Sequence, residues 1–138
     1  MAEDRRQGMK TVTDRGTMSK VLVVDDDETI SEFVVWVLAD DGHEVMSATN
    51  GVVAFQKLER FNPDVILLDM RMPVMDGWRF ANLYRDGRAS PAPIVVLTAA
   101  QDVAQRANEI EADGYLGKPF DLDELLAIIH RFDPAAEH

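Results

Sequence analysis

Three wholly apolar runs of strand length, Val21-Leu22-Val23-Val24, Val65-Ile66-Leu67-Leu68 and Ile94-Val95-Val96-Leu97, constrain this chain more than any other feature. A strand with one wet face alternates apolar and polar residues, whereas short unbroken apolar runs mark strands covered on both faces, as in a parallel sheet. Each run stops at a polar side chain. Asp25 and Asp26 follow the first, Asp69 the second and Thr98 the third, and Lys118 closes the shorter Tyr115-Leu116 segment. Asp69 is the sharpest case, because Met70-Arg71-Met72-Pro73 follows it and a buried strand must surface and end there.

The stretches between these runs have helical spacing. Ile30, Phe33, Val34, Val37 and Leu38 form one stripe of a first helix, with Asp27 as its cap and Asp41-Gly42 as its stop. Glu44 to Ala48 reads as a less hydrophobic strand, after which Thr49-Asn50 supplies a capping residue for a helix running to about Phe61 and ended by Asn62-Pro63. Asp76-Gly77 opens a third helix through about Arg85, with Phe80, Ala81 and Tyr84 inward, broken by the Gly87 to Pro93 loop. A fourth helix covers Asp102 to about Glu111, and the last, capped by Asp121, places Leu122, Leu125, Leu126 and Ile129 on one face.

Five strands alternating with five helices through right-handed crossovers predict a doubly wound α/β fold, with helices on both faces of a parallel sheet. Ligands of such sheets bind outside the carboxyl ends of the strands, so Asp25, Asp26, Asp69, Thr98 and Lys118 are expected to converge there.

Composition narrows the chemistry. The 138 residues suit one domain with one core, and no apolar run approaches the roughly 20 residues that cross a bilayer. The absence of cysteine excludes disulfides and thiolate chemistry, consistent with a cytoplasmic protein. A net charge of -11 argues against binding a nucleic-acid backbone. Residues 1–19 are polar, carry both charge signs and read as a flexible leader rather than a secretory signal, with Met9 or Met18 as alternative starts. The packed domain is expected over 20–132, with a short tail over 133–138. His43, His130 and His138 read as surface residues, since no imidazole or carboxylate stands at ligand spacing from them.

Four segments taken in order, Val-Val-Asp25-Asp26-Asp27, Leu-Leu-Asp69-Met-Arg-Met-Pro73-Val-Met-Asp76-Gly77, Val-Leu-Thr98-Ala99-Ala100 and Tyr115-Leu-Gly-Lys118-Pro119-Phe120, resemble the receiver domain of two-component response regulators. The resemblance covers about Lys20 to Phe132. It implies the strand order 2-1-3-4-5 of the flavodoxin-like and CheY-like sheet, a cis Lys118-Pro119 bond, and a phosphoryl group accepted on Asp69 from a histidine kinase or a histidine phosphotransfer protein. Because only 20 residues follow Lys118, the expectation is a stand-alone receiver whose output is binding to a downstream protein, without membrane or nucleic-acid contact. A homodimer through the fourth helix, last strand and last helix is a further partner that the resemblance allows.

Three carboxylates a few ångströms apart repel one another unless a hard divalent cation sits among them. Mg²⁺, with Mn²⁺ as the alternative, prefers oxygen ligands and takes one or two carboxylates with phosphate oxygens and waters. Asp26 and Asp69 are the expected direct ligands with the Arg71 backbone carbonyl, and Asp25 acts largely through water. Asp69 attacks phosphorus while Lys118 neutralises the transferring oxygens and Thr98 donates its hydroxyl to one of them. By the same resemblance, Thr98 moves toward the phosphoryl group and Tyr115 switches between outward and inward positions, repacking the face of the fourth helix, last strand and last helix.

Some positions depart from the family pattern. Glu111 stands where a glycine is usual before Ala-Asp-Gly. Arg71 and Ala100 occupy sites that influence attack by water, and neither side chain can position that water as a carboxylate or amide would, which predicts slow self-dephosphorylation. Val35 and Trp36 lie off the buried stripe of the first helix and are candidates for a docking surface. Two other classes compete. A haloacid-dehalogenase phosphohydrolase also uses a strand-end aspartate but expects a second one two residues on, where Arg71 stands; a phosphorylation-independent interaction module would keep the fold without using the pocket.

Overall fold

The structure is a computed structural model that describes residues 19–132. The expected leader up to residue 18, the tail from 133 and His138 lie outside the described residues. Ser19, expected in the leader, is instead fully buried, and its carbonyl accepts the Glu44 amide at 3.0 Å, so packing starts one residue early.

The element order is β1 (Lys20–Val24), α1 (Glu28–Asp40), β2 (Glu44–Ala48), α2 (Gly51–Leu58), β3 (Val65–Asp69), α3 (Gly77–Asp86), β4 (Ile94–Ala99), α4 (Ala100–Glu109), β5 (Gly114–Lys118) and α5 (Leu122–Arg131). The five strands pair in parallel in the order β2-β1-β3-β4-β5, which is the predicted 2-1-3-4-5 arrangement. Successive side chains of a strand point to opposite faces, so each central strand feeds two cores. Leu22, Val24, Ile66, Leu68, Ile94 and Val96 pack with the apolar sides of α2, α3 and α4. Val21, Val23, Val65, Leu67, Val95 and Leu97 pack with α1 and α5. Both faces of β1, β3 and β4 are therefore dry, which is why their sequences do not alternate.

The caps follow local chemistry. Asp27 accepts the amides of Thr29 and Ile30, Asn50 that of Val53, Asp76 that of Arg79, and Asp121 forms a reciprocal capping box with Glu124. Phe80, Ala81 and Tyr84 are buried as expected, and the Tyr84 hydroxyl accepts the Ala92 amide at 2.9 Å. Three helix readings need correction. The second helix ends at Leu58, and Phe61 is buried from the turn beyond it. The fourth spans Ala100–Glu109 rather than 102–111, because it runs straight on from β4 with no side-chain cap to mark its start. In the last, Leu122 is exposed and Ile128 takes a buried place, so the apolar face is rotated toward the C-terminal half.

Glu111 has a φ of +53°, the left-handed region that glycine enters freely, so the departure from glycine falls where the backbone needs one. Among the described residues no helix is long and apolar enough to cross a membrane.

Candidate functional site

Register alone brings the strand-end residues together. Val24 pairs with Leu68, which leaves Asp25 and Asp69 level with each other one step further on. Asp69 pairs with Leu97, Thr98 with Gly117 and Ala99 with Lys118, so the polar groups of β4 and β5 lie one and two steps beyond the aspartate. The carboxylates of Asp25, Asp26 and Asp69 each offer an oxygen within 4.8 Å of the others.

Lys118 Nζ lies 2.8 Å from Asp25 Oδ2 and 3.8 Å from Asp69 Oδ1, so its charge is shared between them. Asp25 is fully buried and Asp69 and Thr98 nearly so, whereas Asp26 is exposed at the mouth. The Asp27 amide donates to Asp25 Oδ1 at 2.9 Å. Asp25 Oδ2 accepts no hydrogen bond, the Lys118 ammonium standing near it at an angle that makes none. Three carboxylates around one ammonium leave oxygen lone pairs and negative charge in excess, and this donor set fits a hard, oxygen-preferring ion.

Burial, followed by the charge of Asp25, raises the Asp69 carboxyl from 3.8 to about 7; Lys118 and the Arg71 backbone amide pull it down, and Asp26 pushes it up. The side chains of the pocket thus carry more negative charge than Lys118 alone compensates.

Two glycines shape the rim. A Cβ on Gly77 would lie 2.7 Å from Met70 Cα and 2.9 Å from the Asp69 carbonyl oxygen, so only glycine lets α3 start directly against the end of β3. One on Gly117 would sit 2.7 Å from Ala100 Cα, where β5 meets the first turn of α4. Between Asp69 and α3, the Met75 amide bonds back to the Pro73 carbonyl at 2.8 Å around Val74, whose φ of +71° is strained for a β-branched residue. The Lys118-Pro119 peptide is cis, as expected.

Tyr115 stands apart from the pocket. It points outward, 52% exposed, on a cleft of about 520 Å³ that Ala104, Ala107, Asn108 and Arg131 also line. On α1, Trp36 is 71% exposed while Val35 is half-buried against the core, so only the first presents a free apolar face.

The reading of His43 as a surface residue is overturned, and His130, which does lie at the surface, has a partner that the reading denied it. His43 is buried, and both its Nε2 and that of His130 lie 2.9 Å from Asp41 Oδ2. The Ser19 amide donates to His43 Nδ1, so the ring proton of the neutral imidazole sits on Nε2 and points at Asp41. Although these three side chains are close enough to share an ion, that tautomer makes them a hydrogen-bonded tie between the ends of α1 and α5. Asp41 stands only two positions before His43, whereas His130 is 89 positions from Asp41, and no local spacing announces that second partner.

Comparison with known proteins agrees with this geometry. The sequence profile described as the response regulator receiver domain matches residues 21–130. The transcriptional regulator RpaA of Synechocystis is 34% identical over 131 residues, covering 88% of this chain and 54% of that protein. Response regulator MprA of Mycobacterium leprae is 39% identical over 112 residues, covering 80% of this chain and 49% of its own. The chain therefore spans about half the length of these curated relatives. Among solved structures, the chemotaxis response regulator CheY4 of Vibrio cholerae superposes with a TM-score of 0.75 at 37% identity, covering 84% of this chain and 99% of that one. With the 2-1-3-4-5 sheet and the strand-end carboxylates in place, the chain belongs to the response regulator receiver domain family of two-component signalling.

Proposed function

We propose that Asp69 accepts a phosphoryl group from the phosphohistidine of a sensor kinase or phosphotransfer protein, and that the resulting aspartyl phosphate changes the surface offered to a downstream protein. The observation that carries this reading is the gathering of Asp25, Asp26, Asp69 and Lys118 at adjoining strand ends, where three carboxylates share the single Lys118 ammonium. An Asp69 carboxylate oxygen forms a bond to phosphorus as the phosphorus–nitrogen bond to histidine breaks, and the electron pair and a proton return to the imidazole.

Asp25, Asp26, Asp69 and the Arg71 backbone carbonyl are the groups that would hold Mg²⁺. Bound there, it would draw the Asp69 carboxyl down from about 7 and offset charge on the transferred oxygens. Lys118, 3.8 Å from Asp69, is placed to meet a phosphoryl oxygen, and the Thr98 hydroxyl, one register step beyond, to donate to another. Thr98 lies next to Ala99 and the first turn of α4, so a shift toward the phosphoryl group pulls on that helix. Tyr115 neighbours Val96 in register, and its inward movement would empty the cleft against α4 and Arg131.

The test is Mg²⁺-dependent labelling by a panel of phosphorylated histidine kinases, comparing the wild type with Asp69→Asn. Label on the wild type and none on the variant is the expected result. Label that persists on Asp69→Asn removes Asp69 as the acceptor.

A further inference from the structure

We propose that Trp78, Glu109 and Arg106 form a clamp that holds α4 against α3 in the unphosphorylated protein and opposes the movement of α4 when Asp69 is modified. The inference rests on the reading of Asp69 and Thr98 given above.

Trp78 is the second residue of α3, and its position is referenced to the pocket. The Gly77 amide donates to the Met70 carbonyl at 3.0 Å, and Gly77 packs on the Asp69–Met70 backbone too closely for any Cβ. From this fixed base the indole Nε1 donates to Glu109 Oε1 at 2.8 Å, reaching the last residue of α4. Arg106, one turn earlier on α4, lies with its guanidinium 5.4 Å from the Trp78 ring centroid and Nη1 3.4 Å from Glu109 Oε2. The three side chains thus close a ring through the indole hydrogen bond, a longer hydrogen-bonded ion pair between Arg106 and Glu109, and a cation–π contact. The indole hydrogen bond is the first cause that holds the Glu109 carboxyl below its usual range.

The two ends of α4 are held differently. At the C-terminal end, Arg85 of α3 adds hydrogen bonds to the Ile110 and Glu111 carbonyls. At the N-terminal end, Ala99 supplies no side-chain cap, and the first turn is joined to the pocket through Thr98 by the chain itself. A ten-residue helix behaves as a rod about 15 Å long, so a pull on Thr98 moves its far end too unless the first turn unwinds. A slide of about 1 Å at Glu109 stretches the 2.8 Å bond past hydrogen-bonding range. The clamp therefore favours the resting position, and a single partly exposed, charge-assisted hydrogen bond biases such an equilibrium by about fivefold.

Trp78→Phe keeps a ring beneath Arg106 and deletes the donor, and Glu109→Gln keeps the acceptor oxygen and deletes the charge. Both are compared with the wild-type full chain by amide hydrogen exchange over residues 100–109, and by the rate of phosphorylation from acetyl phosphate with Mg²⁺. In the resting state Trp78→Phe is expected to speed exchange in α4 by about threefold to fivefold. It should raise the phosphorylation rate by a similar factor, with Glu109→Gln between it and the wild type. Resting exchange in Trp78→Phe equal to wild type overturns the clamp, and that comparison needs no phosphoryl group. Wild type that takes no label from the donor counts against the Asp69 reading instead. Labelled wild type whose rate Trp78→Phe merely reproduces counts against the clamp alone.

Discussion

Without a divalent cation, Asp69→Asn should be more stable than the wild type at neutral pH, although it removes the residue on which the proposed chemistry depends. The folded protein raises the Asp69 carboxyl from 3.8 to about 7, chiefly by burial and by the charge of Asp25. Between those values the folded state keeps a proton that the unfolded chain has released, so stability falls as pH rises through the window and levels off above it. At face value the shift corresponds to about 4 kcal/mol. Asp69 is 6% exposed, but the exposed Asp26 keeps water at the mouth of the pocket, and screening leaves about 2 kcal/mol. Asparagine has nearly the same shape and no charge, so it avoids this cost. Melting in EDTA should place Asp69→Asn about 5–10 °C above the wild type at pH 8, and the gap should close toward pH 4. Millimolar Mg²⁺ should stabilise the wild type and leave the variant almost unmoved, since one of its three carboxylates is gone. Equal stabilities at pH 8 in EDTA, or a gap that does not change with pH, would refute the electrostatic account of the pocket.

The strained backbone positions give predictions of the opposite origin. Glu111→Gly and Val74→Gly place glycine at φ values of +53° and +71° and should each raise stability by about 0.5–1 kcal/mol, read from urea midpoints. Gly77→Ala drives a methyl group to 2.7 Å from Met70 Cα; the backbone shift should cost about 1–3 kcal/mol and weaken Mg²⁺ binding in a calorimetric titration. His43→Ala leaves the Ser19 amide and Asp41 without their buried partner and should cost about 2–4 kcal/mol, again by urea denaturation. Purified, phosphorylated protein should lose its label slowly with no phosphatase present, because neither Arg71 nor Ala100 can position a water as a carboxylate or amide would.

The parts of this molecule that could be read from residues are those fixed by backbone register. Once β1, β3 and β4 are recognised as strands dry on both faces, their ends fall at one edge of the sheet, and Asp25, Asp69 and Thr98 have nowhere else to go. Caps were equally legible, because Asp27, Asn50, Asp76 and Asp121 bind amides two or three residues away. The start of α4 was not, since Ala99 bears no capping group. The face of α5 differs from its spacing because Leu122, although spaced as a core residue, lies in an exposed first turn. His130 reaches Asp41 through tertiary packing across 89 positions, as Trp78 reaches Glu109 across 31.

That division has a physical consequence for how the domain works. Residues that gather at strand ends are rigid relative to one another, since the sheet ladder would have to shear to separate them, and such rigidity suits phosphoryl transfer, which depends on positioning. The contact between helices that Trp78 makes on Glu109, and the outward setting of Tyr115 on β5, are individually weak and partly exposed. They can exchange at a cost of about 1 kcal/mol each, which is the scale on which one phosphoryl group can shift a population. A receiver needs both properties: a site too stiff to misplace its reactants, and a surface loose enough to be repacked by them. On the proposed reading the first is written into the ends of apolar runs, and the second into contacts that only the folded structure brings together.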